Sequence, residues 1–289
     1  MSTKLAALLT AILLAATACA TEADRAQVHT GAASLAAVRG APDAAAAVTT
    51  ARFELTVAMA VEGRSLEMTS SGAFDRPGGR LAIDLDLSGL LGQAGLAGAD
   101  QPMQVVIDGS TAYLRLPMLE PLTGTSGWLA ADVASLDELE RSALFGAAAA
   151  DPSSALEVLR GSSDDLEVVG PESIRGLPTT HYRTTVDLAD ALDAAPEVAR
   201  MLDGPATELP VDLGAVPVDV WLDDAGLVHR LVIAIEPTHG AAPPVTATLT
   251  LELFDHGRPV DIEVPQAHEV TPADEVLGSL GQAFLGAGE

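Results

Sequence analysis

The stretch ARFELTVAMAV, residues 51–61, decides the fold class. Phe53, Leu55, Val57, Met59 and Val61 alternate with Arg52, Glu54, Thr56 and small residues. A period of two is what a β-strand with one greasy and one wet face requires. LEMTSSGAF, residues 66–74, continues the pattern with Leu66, Met68 and Phe74 against Glu67, Thr69 and Ser71, and Glu62-Gly63 between the two stretches predicts a hairpin. LAIDLDL, residues 81–87, sets Leu81, Ile83, Leu85 and Leu87 opposite Asp84 and Asp86, and MQVVIDGSTAYLRL, residues 103–116, turns at Asp108-Gly109. The N-terminal half therefore reads as a run of antiparallel strands.

Upstream, 34–38 and 43–48 read as Ala-rich helical pieces interrupted by Gly40 and Pro42. Downstream, 135–150 has helical period, and Asp151 is a good N-cap for a further helix with Pro152 at its first position. Strands resume at LEVVG (166–170) and THYRTTVDL (180–188), and 190–202 reads as helix. VPVDVWLD (216–223) and LVHRLVIAIE (227–236) are joined at Asp224-Ala225-Gly226, and VTATLTLELF (245–254) is apolar at its odd positions. Nine or ten strands with four helices imply an α+β fold, the helices lying against one face of a large twisted antiparallel sheet.

At the start of the chain, Lys4 precedes an apolar or small run from Leu5 to Ala18. That run is too short for the ~20 residues of a membrane-spanning helix and reads as a secretory signal. Ala16, Thr17 and Ala18 lead directly to Cys19, the single cysteine of the chain, and a polar, acidic stretch follows. The segment resembles the bacterial lipobox, with Ala16 in place of the usual leucine, and the resemblance implies that the Cys19 thiol is acylated. The alternative is an ordinary signal peptide cut after Ala18 or Ala20.

Once residues 1–18 are removed, 14 arginines stand against 41 acidic groups with no lysine, a formal charge of −27. Such a polyanion repels nucleic acid and anionic lipid headgroups, so membrane association falls to the acyl chains. With Cys19 consumed there is no thiol for disulfides. Aromatic residues make up 3% of the composition, so the core is aliphatic and its walls suit acyl chains.

Together with the lipobox and the early strands, GLPTTHYRTTVDL (176–188), VDVWLDDAGLVHRL (218–231) and LELFDHGRPVDIEVP (251–265) resemble the actinobacterial lipoprotein family typified by LppX and LprG. The similarity covers most of residues 34–265, and that family is similar in architecture to carriers of the LolA and LolB type. The resemblance implies a half-barrel sheet whose concave apolar face, covered by helices, holds lipid acyl chains. The corresponding division is a signal peptide at 1–18, an acylated N-terminus and tether at 19–33, one lipid-binding domain at 34–268, and a helical or flexible tail at 269–289. Phe53, Leu55, Val57, Met59, Leu66, Met68, Leu81, Ile83, Leu85 and Ile107 would line the cavity. In the glycine-rich segment 88–102, Leu90, Leu91 and Leu96 form either a packed connection or a lip at the cavity mouth.

Catalytic signals are absent from the sequence. The six histidines have no metal-binding i, i+2 or i, i+4 pair, and there is no CxxC, GxSxG, Walker loop or strand-following GxGxxG. Asp84 and Asp86 share a wet face, Asp223, Asp224 and Gly226 read as a tight turn, and His181 is expected on the surface with Tyr182 in the core. No cofactor, metal or catalytic residue follows. The expected function is non-enzymatic binding, and possible transfer in the sense of carriage, of an acylated lipid or glycolipid at the extracytoplasmic face of the cell membrane. The alternative is an envelope interaction or sensor module on the same scaffold, with a protein partner and no cargo.

Overall fold

A computed structural model describes residues 31–61, 64–89, 101–117, 127–134, 152–187, 214–235 and 245–276. The described strands are β1 (Thr50–Val61), β2 (Arg64–Asp75), β3 (Arg80–Asp86), β4 (Met103–Asp108), β5 (Thr111–Arg115), β6 (Trp128–Asp132), β7 (Glu167–Ile174), β8 (Leu177–Val186), β9 (Val216–Leu222), β10 (Val228–Ile235), β11 (Val245–Phe254) and β12 (Val270–Pro272). They form one twelve-stranded sheet in the order β12-β6-β5-β4-β3-β2-β1-β11-β10-β9-β8-β7. β1 sits between β2 and β11, so the strand carrying the clearest alternation is also an inner one. The two end strands do not meet, and the sheet is an open α+β half-barrel. Among the described strands the single parallel pair is β12 against β6.

Short turns close one end of the sheet, at 76–79, 109–110, 175–176, 223–227 and 255–258. At the other end, hereafter the open end, the chain leaves β3, β5, β8 and β10 through long connections outside the described residues. The β7–β8 turn is Arg175-Gly176, with φ of 50° and 82°. Two successive positive φ values fit the right-handed twist of a hairpin. The pattern Arg-Gly carries this less openly than Asn-Gly, and the sequence reading leaves both strands shorter than they are.

Residues 31–46 form one helix, α1, where two pieces are expected. Pro42 cannot donate to the carbonyl four residues earlier, a real cost inside a helix. The helix continues because Val38, Ala41 and Ala45, three and four residues apart, are all buried in the main core. Pro152–Gly161 is a 3-10 helix that buries Leu156, Val158 and Leu159 in the same core. Ser162 closes it, its hydroxyl donating to the Leu159 carbonyl at 2.7 Å.

Both helices cover one face of the sheet, and arginines hold them there. Arg160 reaches Asp43 at 2.9 Å, and Arg39 reaches the Ser162 carbonyl and Asp164, the latter at 3.1 Å. From the β2–β3 turn, Arg76 donates to the carbonyls of Ala45 (2.9 Å) and Val48 at the end of α1, and to Ser153 Oγ at 2.7 Å. A guanidinium here satisfies orphan carbonyls and complements the negative end of the helix.

On the opposite, convex face, Val260, Ile262 and Val264 pack in a second cluster with Ala73, Ala82, Val106, Tyr113 and Trp128. The chain then enters β12, with Val270 opposite Trp128, and Val276 is buried. β12 and Val276 thus join the sheet domain, although the sequence pattern assigns 269–289 to a tail. Residues 277–289 lie outside the described residues.

Replacing Arg76 by Met should keep the fold but destabilise it by about 2 kcal/mol, because buried carbonyls lose their donor. Denaturant unfolding measures this; an unchanged midpoint would show that Arg76 does not secure α1.

Candidate functional site

Register and alternation sort the side chains of the sheet cleanly. Phe53, Leu55, Val57 and Met59 of β1 stand beside Gly72, Ser70, Met68 and Leu66 of β2. Leu81, Ile83 and Leu85 of β3 follow on the same face, opposite Ile107, Val105 and Met103 of β4. On the other side of β1, Leu253, Leu251 and Leu249 of β11 extend the row. This is the helix-covered face, and among the described side chains the charged residues within these strands belong to the convex face. Ser70 is one of its few polar side chains and is buried.

The ten residues expected to line a cavity all lie on this face but do not form one group. Phe53, Leu81 and Ile83 are buried in the packed core. Gly72 makes room for Phe53, since a Cβ there would come within 2.7 Å of its ring. Ile107 lies toward the closed end, where with Phe74, Leu81, Arg76 and Arg80 it borders an open cleft of about 240 Å³. The remaining six, Leu55, Val57, Met59, Leu66, Met68 and Leu85, are half-buried and gather at the open end. Met103, Ile235 and Leu249 are half-buried neighbours that the sequence reading leaves out, although the odd-position alternation of 245–254 already marks Leu249. Cys19, Leu90, Leu91 and Leu96 lie outside the described residues.

The face is thus graded. Toward the closed end it is packed core apart from the cleft beside Ile107, and toward the open end its described side chains are apolar, uncharged and half-buried. Among its described side chains this end carries no acid, base or histidine. Among the described residues no set of three or more His, Cys, Asp or Glu side chains is placed to hold a metal.

Charge is concentrated on the convex side. Arg175 bridges Glu54 and Glu252, the latter at 2.6 Å, and its guanidinium lies 3.9 Å from the centre of the Phe254 ring. Arg230 reaches Glu252 at 2.5 Å. Burial raises the Glu252 pKa, but the hydrogen bonds from Arg230 and Arg175 outweigh it and hold the carboxyl below its usual range. Asp84 and Asp86 are exposed, as expected. Asp223 accepts from the amides of Ala225 and Leu227, both at 2.9 Å, which makes the expected tight turn.

His181 differs from expectation. It is buried on the convex side, stacked 4.1 Å from Trp221, with Nε2 2.5 Å from Asp219. Trp221, its register partner, covers the ring, while Asp219 on β9 and Glu172 on β7 give its nitrogens polar neighbours. Tyr182 packs partly buried against the main core.

No family model matches the chain, and no curated protein matches it. Among solved structures it is similar to the lipoprotein LppX of Mycobacterium tuberculosis, with 17% identity over 79% of this chain and 97% of that chain and a TM-score of 0.44. LprF of Mycobacterium bovis shares 15% identity over 81% of this chain and 97% of its own, with a TM-score of 0.48. A LolA superfamily protein of Nitrosomonas europaea shares 6% identity over 82% of this chain and 96% of its own, with a TM-score of 0.28. LppX and the LolA superfamily are the proteins the sequence resembles. The strand order and registers described above define the fold.

Because the Glu252 pKa is depressed by folding, its stabilisation is present above the unfolded carboxylate range and lost as pH falls through the folded value. Glu252→Gln should therefore be destabilising at pH 7, with the gap to wild type closing in acid. Urea titrations at several pH values test this; a gap that is constant with pH would contradict the ion-pair account.

Proposed function

We propose that this chain is an extracytoplasmic, lipid-anchored protein that binds acylated lipids or glycolipids and carries them between membrane sites. The observation that supports this best is the grading of the helix-covered face. Leu55, Val57, Met59, Leu66, Met68 and Leu85 remain half-buried at the open end of a face free of charge among its described side chains, next to a core that is otherwise closely packed. Apolar side chains left half-buried in this way are what a binding cavity for alkyl chains requires.

Binding would be passive. Each methylene of an acyl chain moved from water to this surface contributes about 0.8 kcal/mol, and the polar headgroup stays at the open end in water. No proton transfer, nucleophile or cofactor enters, so the reading is non-enzymatic. Acylated Cys19, followed by a short polar tether, would hold the domain at the outer surface of the cell membrane. Acyl chains provide this without a basic patch, which the strongly negative chain lacks.

Two measurements test the reading. The domain carrying Cys19→Ser, purified and extracted with organic solvent, should yield stoichiometric lipid by mass spectrometry. That lipid should be largely lost when Val57 or Leu85 is replaced by Trp, which fills the open end. A folded, lipid-free protein that also takes up no added phospholipid or glycolipid would overturn the carrier reading. For the anchor, labelling cells with a palmitate analogue should mark the wild-type chain and leave Cys19→Ser unmarked. Equal labelling of both would exclude Cys19 as the attachment point.

A further inference from the structure

One row of the helix-covered face runs across neighbouring strands from β10 to β4 as Leu231, Leu251, Leu55, Ser70, Leu85 and Met103, each opposite the next in the register. Ser70 is the polar member of that row. It is 8% exposed, and its hydroxyl has no hydrogen-bonding partner among the described residues. A hydroxyl withdrawn from water without a partner costs free energy that an alanine of nearly the same size would not. Pairing of β2 with β1 and β3 already holds the backbone at this position, so the hydroxyl is not needed to secure the strand.

The place of Ser70 on the graded face gives the hydroxyl a use. Toward the closed end, the Phe53 ring fills the space over Gly72 and belongs to the packed core. Toward the open end, Met68 and then Leu66 are half-buried. Leu55 and Leu85, also half-buried, flank Ser70 at the roughly 4.8 Å spacing of paired strands and carry longer side chains. Ser70 is thus the floor of a notch between two leucines, just in front of the Phe53 wall. Along β2 it lies roughly 13 Å inside the level of Leu66, at the ordinary rise of a strand. A headgroup kept in water at the mouth does not come to this depth, whereas the distal part of an acyl chain does.

We infer that Ser70 is a specificity-determining residue of the acyl site, and that the lipid it selects carries an oxygen, as hydroxyl or carbonyl, in the half of its acyl chain remote from the headgroup. The inference rests on the carrier reading and names the ligand class within it. A plain alkyl chain laid over Ser70 leaves the hydroxyl desolvated and unpaired. A chain oxygen at the same depth pairs with it, and each group offsets the desolvation of the other. A site built to hydrogen-bond an oxygen discriminates against the analogue that lacks it more sharply than an apolar wall discriminates by size.

The probes are monoglycerides of stearic acid, uncharged so that a chain of formal charge −26 does not repel them. One carries a plain chain, and the others carry a hydroxyl or a ketone either beside the ester or stepped through the distal half of the chain. Their affinities are compared for the delipidated Cys19→Ser protein and for the same protein with Ser70→Ala. The alanine should strengthen binding of the plain chain and weaken that of a distally oxygenated one, changing the ratio of the two affinities by at least about tenfold. Chains oxygenated beside the ester should show no such change, and binding of the plain monoglyceride by the variant reports that it is folded. Coupling of the hydroxyl series or of the ketone series tells which oxygen the site takes. The inference alone is overturned if the plain chain binds but no distal oxygen of either kind couples to Ser70, or if oxygens beside the ester couple equally. If no monoglyceride binds, the carrier reading falls and the inference falls with it.

Discussion

The fold depends on strict side-chain alternation in β1 and its neighbours. A residue in a strand has only two directions available, and a register slip of one position would exchange the faces. In β1 that slip would bring Arg52 and Glu54 under the helices and expel Phe53. Pairing on both sides transmits the constraint: Phe53 stands beside Gly72 and Leu253, Val57 beside Met68 and Leu249. The separation of an apolar inner face from a charged outer one follows, and with it the need for helices to cover the inner face.

Covering such a long sheet is an incomplete job for the helices described. α1 and the 3-10 helix bury Val38, Ala41, Ala45, Leu156 and Leu159 in the main core, and Arg76, Arg39 and Arg160 fasten them. Their packing leaves the open end half-buried. The proposed carrier function draws on this same mismatch: where helix and sheet meet the core is closed, and beyond it an alkyl chain is a suitable substitute for a side chain. The convex face is treated differently. The extended segment bearing Val260, Ile262 and Val264 covers part of it, and ion pairs around Arg175 and Arg230 organise another part.

Much of this was legible in the sequence because alternation is a local signal. The strands β1 to β5 and β9 to β11, the turns at Asp108-Gly109 and Asp224-Ala225-Gly226 and the face each residue takes follow from reading successive residues, while Glu62-Gly63 lies outside the described residues. β6 and β12 were not legible, since WLAAD is short and weakly alternating and three residues of VTP carry no period; both owe their state to pairing with neighbours. α1 defeated the usual reading of Gly40 and Pro42 because burial of Val38, Ala41 and Ala45 outweighs their local preference. The burial of His181 is equally invisible to a local reading, since Trp221, Asp219 and Glu172 come from other strands. For the candidate site, the alternation places the ten residues on one face, as the registers do, but cannot grade that face. Separating packed Phe53 and Ile83 from half-buried Val57 and Met59 requires knowing where the helices end.

The most direct measurement of the central claim uses methionine methyls as reporters on the graded face. A fatty acid with a nitroxide on its chain, added to protein labelled at the methionine methyls and at the isoleucine and leucine methyls, should broaden Met59, Met68 and Met103 while leaving buried Leu253 and Ile83 sharp. Broadening that is absent at saturating fatty acid, or equal at both ends of the sheet, would contradict the account of an apolar face closed at one end and available to acyl chains at the other.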